Sequence, residues 1–321
     1  MRKSVLSIAA TLLCGLILAV SGCLNSGDAD ARTPQPSGPD DSQSAASQSV
    51  SSGSSVPSSP DNDDGTWRIY IKNTDNEELW SFTEDQLYAL SPEHSAAFAH
   101  VYSTINNWPA TRFYAADGYR IDSILLAAGV LDAAQTITFR STDGYEISLT
   151  RDQLMSPQYY YPQVGENDGG AEPVFPIIAY RWRDGSEDIN AIRDDKPILI
   201  FGQRNPFEHT NPAFVEDVAE IIVDYAPSET WPVASTFPLP GSIASGETVN
   251  LQHPSYGLVK LYYTLDGSDP TPLSTMYNPS TYQLELNRPI TINEPTIIKV
   301  LVTGYGRNDS EIAVFEFLPV G

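Results

Sequence analysis

Between Tyr114 and Leu154 the apolar residues change period repeatedly, and each change predicts an element. Ile121, Ile124, Leu125 and Ala128 recur at helical spacing, and Asp122 or Ser123 stands where a cap for the first free amides is needed. Gly129 ends that run, because a residue without Cβ enters the left-handed region cheaply. Ile137 and Phe139 then alternate with threonines, and Tyr145, Ile147 and Leu149 alternate beyond Asp143-Gly144, which predicts a hairpin. Thr150 with Gln153 three residues on predicts a capping box at the next helix start.

The flanking chain carries the same kind of signal. Trp67 to Asn73 alternates as a strand, and Thr83 with Gln86 predicts a second capping box before Leu87 and Leu90, in a short helix ended by Ser91-Pro92. SFTEDQL and SLTRDQL look alike, but so short an echo reflects shared capping chemistry and not duplication. Phe175–Trp182, Pro197–Gly202 and Val218–Tyr225 read as strands, with an aromatic and acidic loop between Gln158 and Glu172. Residues 66–226 are therefore expected to form one α+β domain. Residues 227–240, rich in Pro, Ser and Thr, read as a semi-stiff connector. Residues 241–321 show only strand and turn signals, about seven short runs, which predicts an all-β antiparallel sandwich.

The first 65 residues have a different character. Arg2 and Lys3 precede an apolar run from Val5 to Val20, and Val20-Ser21-Gly22-Cys23 has the form of a bacterial lipobox. Residues 1–22 are expected to be a lipoprotein signal peptide, leaving Cys23 for lipidation; an ordinary signal peptide cut near Cys23 is the alternative. Residues 23–65 are mostly Ser, Pro, Asp, Gln, Gly and Ala, too polar to offset chain entropy, and predict a disordered tether with a reach of roughly 35 Å. Within it Asp61 to Gly65 has the look of a calcium loop, but Lys72 stands where the closing Glu is needed.

Cys14 and Cys23 are the only cysteines, so the folded part has no thiol for a disulfide or a metal. The net charge of -23 grows by two units when Arg2 and Lys3 are removed. Such a surface disfavours nucleic acid and bare anionic lipid, and no Lys/Arg cluster offsets it. These features predict an extracytoplasmic protein, lipid-anchored to the bacterial cell membrane.

The run DGYRIDSILLAAGV followed by TITFRSTDGYEISLTRDQL resembles the core of the oxidoreductase molybdopterin-binding domain, the sulfite-oxidase-like fold. The likeness extends from about Trp67 to Tyr225, taking in FTEDQLYAL and GQRNPFEHTNPAFVEDVAEIIV. It implies an α+β molybdopterin-binding-like domain. In active relatives a cysteine a few residues before a tryptophan ligates molybdenum. The matching segment here is VYSTINNWPATRFY, with Trp108 in the tryptophan place and Ser103 or Thr104 in the cysteine place. A hydroxyl is a hard donor and does not replace a soft thiolate at that metal. The domain's arginines are scattered, without a Gly-rich phosphate cradle. No cofactor is expected on this reading; molybdopterin is expected on its alternative, an extracytoplasmic oxidoreductase with an atypical ligand set.

The other polar candidates are few. His94, His100, His209 and His253 show no metal-ligand spacing. Ser103 and His100 with an aspartate offer the residue types of a hydrolase triad, without a Gly-x-Ser-x-Gly elbow. Glu166, Asp168 and Glu172 are either a calcium cluster or a solvated acidic loop. Gly202 to Pro212 follows a strand, the usual address of a ligand loop. Ser103, Thr104, Trp108, Tyr159, Tyr160, Tyr161, Gln203, Arg204 and His209 are the candidate ligand groove, the alternative being that the tyrosines cover the core edge. Aromatics beside amides suit a neutral or sugar-like ligand.

The last domain resembles the chitobiase/β-hexosaminidase C-terminal domain, an immunoglobulin-like accessory module. The likeness rests on Tyr262 to Thr271, Pro289 to Ile292, Gly304-Tyr305 and Asp309-Ser310-Glu311. It implies association with glycan enzymes and not catalysis by the module. Together these readings predict a tethered, non-catalytic protein that binds a ligand, a glycan or a protein partner.

Overall fold

Apolar alternation dominates the chain, and strands dominate the fold. The computed structural model describes residues 67–89 and 97–321. The signal peptide, Cys23, the tether, Asp61–Gly65, the helix stop at Ser91-Pro92 and His94 lie outside the described residues.

The first part runs β1 (Ile69–Asn73), β2 (Glu78–Phe82), α1 (Glu84–Tyr88), β3 (Ala97–Ile105), β4 (Thr111–Arg120), α2 (Ile121–Ala127), β5 (Thr136–Ser141), β6 (Glu146–Thr150) and α3 (Arg151–Met155). It continues through β7 (Gln158–Tyr160), β8 (Glu172–Val174), β9 (Ile177–Asp184), β10 (Arg193–Ile200), β11 (Val215–Glu216) and β12 (Val218–Asp224). Two five-stranded sheets result, ordered β2-β1-β12-β5-β6 and β11-β10-β9-β4-β3, beside the small β7-β8 pair. β1 and β12 pair in parallel, which brings the two ends of this part together.

The sheets share one core. Ile69, Ile71, Ile137, Phe139, Ile221 and Val223 come from the first sheet, and Ile177, Ile178, Leu199 and Ile200 from the second. Ile121, Ile124 and Leu125 on α2 join them, which is the helical face that the sequence predicts. Burying one such side chain contributes about 1.5–3 kcal/mol.

Both capping boxes form, with Thr83 and Thr150 accepting from the amides of Gln86 and Gln153 and each glutamine returning to its threonine's amide. Gly129 and Gly144 have φ +72 and +89, as the helix stop and hairpin require. At α2 the structure differs: Arg120 is the N-cap residue and makes no side-chain cap bond, while Asp122 accepts from the Ser123 amide inside the first turn. The three helices span only five, seven and five residues, so the fold is mostly β where an α+β domain was expected. Hydrogen-bonded strands already satisfy most of the backbone.

The second part adds β13 (Ser235–Phe237), β14 (Gly241–Ala244), β15 (Glu247–Gln252), β16 (Val259–Thr264), β17 (Thr275–Met276), β18 (Ile290–Ile292), β19 (Thr296–Gly304) and β20 (Ala313–Val320). Sheets ordered β13-β15-β18 and β14-β20-β19-β16-β17 form the all-β, immunoglobulin-like sandwich. Its core contains Val249, Leu251, Leu261, Ile298, Val300 and Phe317.

Two expectations are corrected here. Residues 227–240 are not a free connector: β13 pairs with β15, and Trp231 and Ala234 enter the sandwich core. Their apolar surface outweighs the Pro/Ser/Thr composition around them. Of the short runs expected to be strands or turns in residues 241–321, the one at residues 282–287 forms no strand, since Leu284–Leu286 is a 3-10 turn with both leucines exposed.

The parts dock through Gln153. Its Nε2 donates to the carbonyls of Gly304 (2.7 Å) and Arg307 (2.9 Å), and its Oε1 accepts from the Gly306 amide (3.0 Å). Gly306 lies at φ +79, and a Cβ there would stand 2.9 Å from the Ser148 Cβ. Tyr305 packs edge-on against Phe201 and joins the first core.

Candidate functional site

The β3–β4 hairpin and the loop after β10 face one another, and their polar groups are bonded together before any ligand is considered. Ser103 Oγ donates to Gln203 Oε1 (2.6 Å) and accepts from the Tyr161 amide (2.8 Å). Thr104 and Thr210 share a hydroxyl bond of 2.6 Å, and Gln203 Nε2 donates to the Glu208 carbonyl (2.7 Å). Tyr159 and Gln203 exchange backbone bonds at 2.9 and 3.0 Å. Ser103, Thr104 and Gln203 are 0 % exposed. These residues brace the loop and do not line an open groove, which corrects their expected role: a buried hydroxyl or amide takes whatever partner is closest.

The remaining candidates separate. Tyr161 is buried with Ile105 and Val164. Tyr160 is half-buried beside His100 and Phe113. Tyr159 lines a hollow on another side with Phe175, over whose ring Arg120 lies at 3.7 Å. Trp108 is 51 % exposed and stacks on Tyr282 at 5.5 Å. Arg204 and His209 alone of the predicted set reach the cavity described next.

That cavity, of about 390 Å³, lies where Arg204–Pro212 and β6 meet the outer face of the sandwich. Along β16 the residues Val259 and Leu261 turn inward, so Lys260 and Tyr262 face outward. Thr303 stands opposite Lys260 on β19, and Tyr305 and Arg307 close the far side. A volume of this size falls within the range of small-ligand sites.

Burial and charge set the chemistry. Arg204 Nε donates to Glu208 Oε1 (2.8 Å), and the Arg204 amide donates to Glu208 Oε2 (2.6 Å). Burial pulls the Arg204 guanidinium down, and Glu208 more than reverses this, so the group is held above its ordinary value. The Tyr305 hydroxyl donates to Glu208 Oε1 (3.2 Å), and burial raises the pKa of both Tyr305 and Tyr262. Burial, helped by nearby Lys260, pushes His209 down to about 3, and the ring is neutral at pH 7. Burial brings Lys260 down to about 8, and its ammonium donates to the carbonyls of Asn278 (3.2 Å) and Pro279 (3.1 Å).

The residue types of a hydrolase triad do not meet in this arrangement. His100 contacts the Val101 carbonyl (2.7 Å) and Glu172 (3.1 Å), whereas Ser103 is held by Gln203, so the triad residues are not brought together. Among the described residues no three His, Cys, Asp or Glu side chains gather as metal ligands, and Glu166, Asp168 and Glu172 do not form the calcium cluster.

Lys260, Tyr262, Glu208, Trp231 and Tyr305 belong to the cavity but not to the predicted groove. The signal for two of them was outward alternation, since Lys260 and Tyr262 sit on the face of β16 that a lone sandwich would leave in water. No curated protein matches the chain. The family model of the chitobiase/beta-hexosaminidase C-terminal domain matches residues 238–314, and the sandwich that walls the cavity is therefore similar to that module.

Proposed function

We propose that this chain is a surface-tethered, non-catalytic lipoprotein that binds a saccharide between its two parts. The observation that carries this reading is the cavity of about 390 Å³ with Arg204 and His209 on one wall and Lys260, Tyr262 and Tyr305 on the other. Tyrosine faces and fixed polar groups in a concave site suit a hydroxylated ring. The lipobox ending at Cys23 and the polar stretch to residue 65 support tethering outside the cytoplasm.

The first part is proposed to be a sulfite-oxidase-like scaffold without pterin chemistry. What supports this is the donor set: the hydroxyls of Ser103 and Thr104 are buried and already bonded to Gln203 and Thr210. Such a pair does not fit a thiolate-bound metal. The deciding experiment is a glycan array probed with the purified full chain, with elemental analysis of the same sample. Selective saccharide binding and no molybdenum are expected. A blank array, or stoichiometric molybdenum, overturns the proposal.

A further inference from the structure

Each charged group on the cavity wall except one has an opposite charge beside it. Arg204 is paired with Glu208, Arg307 with Glu229 at 3.0 Å, and Glu146 with Arg140 at 2.8 Å. Lys260 has no carboxylate within ion-pair distance among the described residues, in a chain with 41 acidic and 18 basic side chains. An ammonium has three protons to donate, and only two backbone carbonyls receive them. A buried cation is normally compensated by an anion or loses its charge.

Two further groups point the same way. Four buried side-chain polar atoms lack a hydrogen-bond partner among the described residues, and two of them, His209 Nδ1 and Trp231 Nε1, belong to residues on this one cavity. His209 is 9 % and Trp231 7 % exposed. The indole N–H is a donor only, and one nitrogen of a neutral imidazole is an acceptor. An orphaned buried polar group is destabilising, and a partner that reaches it removes that cost. The cavity thus presents one unpaired cation, Lys260, beside two buried side chains that each keep an unpartnered polar atom.

Resting on the saccharide reading above, we infer that the cavity takes an acidic sugar, whose carboxylate meets Lys260. The ring then lies among Tyr262, Tyr305 and Pro212. A neutral sugar leaves the ammonium without its anion. A simple inorganic anion leaves the tyrosine faces of the cavity without the ring they suit. The lysine therefore selects the charge, and the tyrosine-lined wall selects the ring that carries it.

The test is calorimetric titration of the purified full chain with glucuronic acid, glucose and inorganic phosphate. At pH 7 glucuronate is expected to bind at least about tenfold more tightly than either of the others, as suits a charge-assisted bond in a buried site. Lys260→Met keeps the aliphatic stem, and its glucuronate affinity is expected to fall about tenfold while glucose changes less than about twofold.

A second arm uses the unaltered protein, so that a folding defect in the variant does not decide the outcome. Raising the pH from 7 to 9.5 discharges Lys260 and lowers glucuronate affinity about tenfold, with glucose affinity unchanged. The other titratable groups on the cavity wall are Glu146, Arg204, Glu208, His209, Tyr262, Tyr305 and Arg307, and the shifts of His209 and the two tyrosines keep those three from titrating in that window. Equal binding of glucose and glucuronate, unaltered by Lys260→Met, overturns this inference and leaves the saccharide reading standing. Tightest binding by phosphate overturns the sugar and leaves only an anion site. No binding by any of the three overturns the inference, and a blank array as well removes the reading beneath it.

Discussion

Replacing Gln153 by leucine tests how firmly the two parts are joined. The leucine keeps the side-chain volume but loses every polar contact. The Gly304 and Arg307 carbonyls lose a donor, the Gly306 amide loses an acceptor, and the Thr150 amide loses its half of the capping box. Three docking bonds at about 1 kcal/mol each, and more where the backbone group stays dry, come to about 2–4 kcal/mol. The cap adds about 1 kcal/mol. A control exists in the same molecule: Gln86 makes the same return bond, to Thr83 at 2.9 Å, yet is exposed and makes no docking contact. Gln86→Leu therefore loses the cap alone. Urea denaturation followed by tryptophan fluorescence measures both variants, and Gln153→Leu is expected to be the less stable by about 2–4 kcal/mol. Equal losses would refute the claim that the sandwich is fastened through this residue.

Gly306→Ala should cost about 2–4 kcal/mol, from a left-handed backbone and the approach to Ser148, whereas Gly144→Ala at an open hairpin costs about 1–2 kcal/mol; thermal denaturation distinguishes them. Lys260→Met should alter the pH dependence of stability. Burial lowers the native pKa of Lys260 from 10.5 to about 8, so between these values the unfolded chain holds more protons and the lysine's contribution rises with pH. Over pH 8 to 10 the advantage of Lys260→Met over the parent should shrink by about 2–3 kcal/mol, and a constant difference in denaturation midpoints would contradict this. Cys23→Ala should move the protein from the membrane to the soluble fraction on cell fractionation, and an unchanged distribution would remove the lipid anchor.

What was legible in the sequence was what short-range chemistry decides. Thr150 and Gln153 announce a capping box because the bonds span three residues, and Asp143-Gly144 announces a turn because a positive φ needs its glycine. The buried face of α2 follows from spacing alone. The same rules are silent about Gln153 reaching Gly304, which lies 151 residues further on. They mistook Trp231 and Ala234 for connector because an isolated apolar residue among prolines carries no period. Ser103 and Thr104 read as groove residues because the resemblance puts them in the cysteine place, and Gln203 because it follows a strand, yet their hydrogen bonds turn inward. Arg204 and His209 do reach the cavity, but the wall opposite them comes from another sheet, and only the folded chain brings the two together.

The central claim is that one ligand is held by both parts at once, and hydrogen–deuterium exchange with and without saturating saccharide tests it most directly. The account predicts slowed exchange in Arg204–Thr210 together with Val259–Tyr262 and Thr303–Arg307. Protection confined to one of the two parts, or lying around Trp108 and Tyr282 instead, would contradict it.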